Sequence, residues 1–274
     1  MRPSNIRALR LTIYILIAAL IVLFMVSQVF GVRIFPNLSP FNMNIFGQGA
    51  NYKNTVLIPA PAPGGFKDVK LGASACRIDI VPADGQNVSI DEAFHSKDSM
   101  SVSYSADGAS LTIDIKPPGG FHLFNFGGSN KVTLRLPKNS YDSIDIGASA
   151  CDANAEIPRA ASLGITVEAG NLKLSGEFDD VRAEVSAGKA ELTCGVLPKS
   201  FTADVSAGEM NINLPENDGF AVYADVSAGA FNSGFSDFTP PLKSSQGGLY
   251  SYKNARTPLY NFSVSAGSIN LNKQ

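Results

Sequence analysis

The sequence has no tryptophan, only two histidines and three cysteines among 274 residues, and 17% of it is charged. Each shortage removes a class of function. The formal net charge is −2, so there is no basic field to hold nucleic acid. The histidines, His95 and His122, have no His or Cys neighbour at metal-ligand spacing, so the usual proton carrier and metal ligand lacks partners. GxSxG, HExxH, phosphate-loop and GxGxxG contexts are missing. No CxxC pair suggests zinc or redox work, and no long amphipathic helical pattern follows residue 30. The reading therefore assigns no catalytic, cofactor-binding or metal-ligating residue, and expects a protein that is not an enzyme.

The cysteines are Cys76, Cys151 and Cys194, an odd count at wide spacing and no disulfide framework. Cys76 and Cys151 occupy a place where related segments carry glycine, and are read as small apolar residues. A bridge between them is the sharper alternative. They stand 75 residues apart, about four periods of the repeat described below. At ~4.8 Å per stacked turn that separation exceeds the ~7 Å Cα limit of a disulfide, so the expectation is that they lie apart.

Glycine and proline are abundant, at 25 and 16 residues, the composition of short strands joined by tight turns. Residues 11–30, LTIYILIAALIVLFMVSQVF, contain no charge. Twenty residues at ~1.5 Å rise span the ~30 Å hydrocarbon core of a bilayer. Arg2, Arg7 and Arg10 precede this run and only Arg33 follows closely, so it is expected to be an uncleaved transmembrane signal-anchor, with residues 1–10 cytoplasmic and the rest extracytoplasmic. A cleaved signal peptide is the competing reading. Residues 31–54 read as a linker, and 55–274 as the β domain.

Alternation places strands at 55–58, 69–80, 88–90, 101–104 and 111–115. Residues 119–128, GGFHLFNFGG, set Phe121, Leu123, Phe124 and Phe126 between glycine pairs, and form a candidate interaction patch. Packing on the core is the plainer use of these aromatics.

One unit recurs along the chain: EVSAGKAEL, DVSAGEMNINL, DVSAGAFNS and SVSAGSINL, with TVEAGNLKL, GASACRIDI and GASACDANA as more diverged copies. Its Gly or Cys falls at 76, 151, 170, 188, 208, 229 and 267, with steps of 19, 18, 20 and 21 from 151 to 229 and 38 to the last. A period near 20 marks a solenoid. The structural repeat positions are Ala75, Ala150, Ala169, Ala187, Ala207, Ala228 and Ala266, and Gly170, Gly188, Gly208, Gly229 and Gly267. The Val column (Val167, Val185, Val205, Val226, Val264) and the Ala column are both expected to face inward, where a larger residue in place of Ala would overpack. Glu184, Asp204 and Asp225 recur at one outward position; a calcium ladder is conceivable there, a solvated strand face plainer. An irregular loop is expected over 236–257. The predicted fold is all-β, a single-stranded β-helix-like β-solenoid of ~20-residue repeats after one N-terminal transmembrane helix, with a stacked β-sandwich of hairpins as runner-up.

VTLRLPKNSYDSIDIGASACDANAEIP, followed by spaced S-A-G or E-A-G units, resembles the bacterial β-strand-repeat family called putative adhesins, a domain of unknown function. The resemblance covers roughly residues 55–272; this chain has Ala-Gly where Ser-Gly is frequent and puts Cys for Gly twice. It implies a surface role and brings no catalytic residues. The anchor followed by such a domain also resembles membrane-bound accessory proteins of envelope-stress operons. The function expected is thus a non-catalytic, membrane-anchored, adhesin-like module or cell-envelope scaffold. Its partners would be the membrane and a cell-wall polymer or envelope protein, not nucleic acid. The alternatives are an accessory regulator of envelope-stress signalling and a polysaccharide-active enzyme using Asp79, Asp114 and Asp145.

Overall fold

The computed structural model describes residues 50–61, 64–117, 130–243, 245 and 247–274. The expected anchor (11–30) and the patch of Phe121, Leu123, Phe124 and Phe126 lie outside the described residues. Among the described residues no helix is long and apolar enough to cross a membrane. They fold entirely as β-structure, within the compact unit Ile45–Gln274.

The first strands are β1 (Tyr52–Ile58), β2 (Asp68–Ser74), β3 (Arg77–Ala83), β4 (Val88–Phe94), β5 (Ser101–Asp107), β6 (Ser110–Lys116) and β7 (Lys131–Pro137). A 46-residue strand, β8 (Ser140–Val185), carries the first repeat copies without interruption. Then come β9 (Lys189–Cys194), β10 (Ser200–Val205), β11 (Glu209–Leu214), β12 (Phe220–Val226), β13 (Ala230–Ser233), β14 (Phe238–Thr239), β15 (Gly248–Tyr252), β16 (Leu259–Val264) and β17 (Ser268–Lys273). The β1 strand starts three residues before the expected domain boundary.

Each copy contributes one strand before its Gly or Cys and one after it, and these assemble into two parallel ladders. The first ladder runs β6, β2, the 143–149, 164–168 and 180–185 parts of β8, β10, β16, β12. The second runs β7, β3, the 152–155 and 171–176 parts of β8, β9, β11, β17, β13. Parallel pairing follows from the repeat itself, because every copy passes the same point in the same direction with the same apolar residues in register. Val185 faces Val205, Val205 faces Val264, and Val264 faces Val226.

The ladder order is not the sequence order. The last copy, β16–β17, lies between β10–β11 and β12–β13, so the copy at 267 separates those at 208 and 229. At the other end, β2–β3 is inserted between β6–β7 and the start of β8.

The ends differ from the middle. There the pairing is antiparallel: β5 on β6, β4 and then β1 on β7, and β15 with β14 on β12. The stretch 236–257, expected to be irregular, thus holds two short strands. Its Phe238, Tyr250 and Tyr252 rings, with Phe235 just before it, form one aromatic cluster with Phe220 and Tyr260, Phe220 lying 5.2 Å from Phe235 and 5.5 Å from Tyr260.

The core lies between the ladders. Phe231 of the second ladder meets Phe262 of the first at 5.7 Å between centroids, and Phe201 meets Phe262 edge-on at 5.5 Å. Burying a Val, Leu or Phe side chain contributes about 1.5–3 kcal/mol, and every copy adds several to one continuous cluster. No buried side-chain nitrogen or oxygen among the described residues lacks a partner. Two tyrosines show how this is achieved. Tyr141 Oη donates to the carbonyl of Pro137 at 2.7 Å, and Tyr260 Oη to that of Pro198 at 2.8 Å. Burial raises the Tyr141 phenol to about 12 and the Tyr260 phenol further.

The Val column is inward as expected; the Ala column is not. Ala150, Ala169, Ala187, Ala207, Ala228 and Ala266 are exposed and Ala75 is half-buried. The cause is a corner. After Val205 the chain turns through Ser206, Ala207 and Gly208 before Met210 returns inward, so strict alternation fails by one residue. The crowded residue is the glycine. A Cβ on Gly267 would strike the Gly208 carbonyl oxygen and lie 2.8 Å from Val205 Cγ1, and one on Gly208 would strike the Gly188 carbonyl. The backbone ladder runs on through the corner, with Glu209 N–H donating to Gly188 O at 3.0 Å and Ser268 N–H to Gly208 O at 3.0 Å.

Candidate functional site

The outer face of the second ladder carries a regular column of polar side chains. Counting from the Gly or Cys of each copy, the third residue onward is Asp79, Asn154, Lys173, Glu191, Asn211, Asn232 and Asn270. Strand alternation turns them all outward, and the register places them in one column: Asp79 beside Asn154, Lys173 beside Glu191, then Asn211, Asn270 and Asn232. Asp91 and Thr55 extend the column through β7 onto the antiparallel end.

Neighbours in the column are bonded in three groups, Asp79 with Asn154, Lys173 with Glu191, and Asn211 with Asn270 and Asn232. Asn232 Nδ2 donates to Asn270 Oδ1 at 2.9 Å, Asn270 Nδ2 to Asn211 Oδ1 at 2.8 Å, and Asn211 Nδ2 to Glu209 Oε1 at 2.7 Å. Lys173 Nζ lies 3.3 Å from Glu191, Lys131 Nζ 2.5 Å from Asp79, and Arg135 Nε 2.9 Å from Asp91. Asp79 is partly buried, which alone would raise its pKa; the bonds from Lys131 and Asn154 outweigh that and hold its carboxyl below the usual range. Glu209 is likewise held low by Asn211 and Lys189.

Two shallow concavities open on this face. One, of about 340 Å³, is bordered by Asp79, Asn154, Glu156, Lys173, Glu191 and Thr193. The other, of about 430 Å³, is bordered by Lys53, Thr55, Asp91 and Glu92. Their walls carry acceptors, amides and cations in alternation, which suits a hydroxyl- and amide-rich chain lying along the strands.

The structure does not bring the three candidate acids together. Asp79 is on the second ladder, while Asp114 and Asp145 pair with β2 on the first. Asp114 accepts from Lys116 at 2.6 Å, and Asp145 lies against Gly164. The acidic column at Glu184, Asp204 and Asp225 is broken as well. Ser263 separates Asp204 from Asp225, and Arg182 holds Glu184 at 2.8 Å. No group of three His, Cys, Asp or Glu able to hold a metal occurs among the described residues. His95 lies in the turn after β4, its backbone N–H on Asn130; His122 lies outside the described residues.

The cysteines depart most from expectation. Because β2–β3 is inserted next to the start of β8, Cys76 and Cys151 are neighbours across one parallel pair, with sulfurs 3.8 Å apart and both side chains buried. The expected separation of four turns assumed that coils stack in chain order. Cys194, also buried, has no thiol neighbour, and burial pushes it up to about 12. In the pair, the Cys76 thiol supports a negative charge on Cys151, lowering Cys151 and raising Cys76.

The sequence reading passed over the polar column, although its signal was present as a fixed offset of three from each Gly or Cys. It also passed over Tyr223 and Leu249, which are exposed and face each other across β12 and β15.

No family model and no curated protein matches the chain. Among solved structures the chain is similar to a putative cell adhesion protein from Clostridium sporogenes ATCC 15579, at 15% identity and a TM-score of 0.47, covering 81% of this chain and 100% of that one. It is also similar to a putative adhesin from Bacteroides fragilis NCTC 9343 (10% identity, TM-score 0.33, 82% and 98% covered). A putative lipid binding protein from Parabacteroides distasonis ATCC 8503 gives 11% identity and a TM-score of 0.33, with 84% and 99% covered. Likeness at these scores assigns no role to the chain.

Proposed function

We propose that the chain is a non-catalytic, adhesin-like binding module of the cell envelope. In this reading the two ladders are the walls of a β-solenoid, residues 11–30 anchor it in the membrane, and the outer face of the second ladder holds a cell-wall polymer. One observation carries the proposal: the continuous column from Asp91 through Asp79, Lys173 and Glu191 to Asn232, bordering both concavities. Its carboxylates at Asp79, Asp91 and Glu191 are each paired with a cation, an arrangement for holding a polar chain and not for releasing protons.

The test is co-sedimentation of the full-length protein, in detergent, with insoluble bacterial cell wall. Wild type is expected to pellet with the wall. Lys173→Glu, which places two like charges at the groove, is expected to pellet at least several-fold less while keeping its thermal midpoint. Equal pelleting of a folded Lys173→Glu protein, or no pelleting of wild type, would remove the face from the account.

A further inference from the structure

Seven copies of one corner place a small residue against the neighbouring coil, and in two adjacent copies that residue is a cysteine. Ala75 and Ala150, which precede them, adopt left-handed backbone with φ of 55° and 53°, whereas no other copy has a left-handed Ala. That twist turns the following side chain inward, and Cys76 and Cys151 are 9% and 2% exposed. The backbones are joined on both sides of the pair: Ala75 N–H donates to Ser149 O at 3.1 Å, and Asp152 N–H to Cys76 O at 3.2 Å. Neighbouring strands lie ~4.8 Å apart, inside the ~4.4–6.8 Å Cα range of disulfides, and the sulfurs already approach to 3.8 Å.

We propose that Cys76 and Cys151 are a redox site, a dithiol that oxidises to a disulfide stapling the inserted β2–β3 coil to β8. The co-reactant is a low-molecular-weight or protein disulfide, RSSR. The Cys151 thiolate attacks one sulfur of RSSR, the S–S bond breaks, and RS⁻ leaves with the electron pair. The Cys76 sulfur, losing its proton, then attacks the Cys151 sulfur of the mixed disulfide and expels the second RS⁻. Two thiol protons end on two RSH, the cysteine pair is oxidised by two electrons, and RSSR is reduced by two. Cys194 remains a thiol because no second sulfur reaches it. The bond would close a loop through β3 to β7, at one of the two ends where ladder order departs from sequence order.

The inference is independent of what the outer face binds. Full-length protein is denatured under reducing conditions, refolded in a reduced/oxidised glutathione buffer, alkylated, and mapped by non-reducing peptide mass spectrometry. The expected result is a single predominant Cys76–Cys151 link with Cys194 alkylated, and the same link in Cys194→Ala. Cys76→Ala and Cys151→Ala should show no intramolecular link. A mixture of all three pairings, or three alkylated cysteines in the refolded wild type, overturns the proposal. Should the alanine variants fail to fold, the wild-type map decides alone. Wall co-sedimentation of the oxidised and reduced samples reports separately on the binding face.

Discussion

The corner at Cys76 and Cys151 and the corner at Gly188, Gly208, Gly267 and Gly229 solve one problem in two ways. Both must carry the chain from the first ladder to the second with its backbone close to the neighbouring copy. The glycine corners do it by removing the side chain. Their ladder hydrogen bonds pass through the turn, and a Cβ would meet the adjacent carbonyl. The cysteine corners keep a side chain and place the strain on the preceding alanine, at φ near 55°. The first device makes a uniform stack; the second gains a pair of sulfurs at the price of a strained residue. A recurrent Ala-Gly or Ala-Cys therefore specifies a corner, and the residue after Ala decides what the corner contains.

The contrast can be broken most strongly at the glycines. Gly208→Ala and Gly267→Ala should each cost about 3 kcal/mol, the upper end for overpacking, since backbone cannot give way as a side-chain tip can. Urea denaturation measures it; a cost near that of an exposed Ala→Ser change would show that the corner is loose. Next are the two buried phenols, one at the start of β8 and one at the start of β16. Tyr260→Phe removes the Tyr260 bond to the Pro198 carbonyl and should cost about 1–2 kcal/mol, whereas the Pro137 carbonyl keeps the Asn139 N–H at 2.7 Å, so Tyr141→Phe should cost about 0.5–1 kcal/mol. The preceding alanines should then respond with opposite signs. Ala75→Gly relieves a left-handed alanine and should be neutral to about 0.5 kcal/mol stabilising, whereas Ala187→Gly only adds unfolded-state freedom and should cost about 0.5–1 kcal/mol. Equal effects at both would erase the distinction.

The smallest effect is in acid. Asp79 is held below its ordinary value of 3.8 by Lys131 and Asn154. A depressed folded pKa contributes stability that is complete above the unfolded value and fades as pH falls through the folded one. Asp79→Asn should therefore lower the thermal midpoint slightly at pH 7, where that contribution is complete, and decline less steeply below about pH 4, so that variant and wild type converge in acid.

Much of this architecture could be read from residues alone. The strands at 55–58, 88–90, 101–104 and 111–115, the Val column and the upstream pairs such as Phe201/Ala203 are where alternation puts them, while 69–80 is split by the Ala75–Cys76 corner into β2 and β3. Two things could not be read that way, for physical reasons. Alternation counts residues and does not see a corner, so Ala187 and Ala207 were assigned to the wrong side. Ladder order was invisible because the copies present the same apolar face and the same register. SVSAGSINL presents the same face to ADVSAGEMNINL as DVSAGAFNS does, while β14 and β15, within 236–257, cover β12 at the outer end with Phe238 and Tyr252 over Phe220. The same blindness separated Cys76 from Cys151. The polar column was legible in principle, but its residue types vary from Asp to Lys to Asn, and only the shared register makes them one surface.

Non-sequential ladder order is the central claim, and cross-linking tests it most directly. In a background with Cys76, Cys151 and Cys194 replaced by Ala, cysteine pairs are placed at the outward positions 204 and 263, 263 and 225, and 204 and 225. Mild oxidation of the folded protein should join the first two pairs, because Ser263 lies between Asp204 and Asp225. The third pair should stay reduced. A ready link between 204 and 225, with none to 263, would show that the copies follow one another in chain order and would contradict the account.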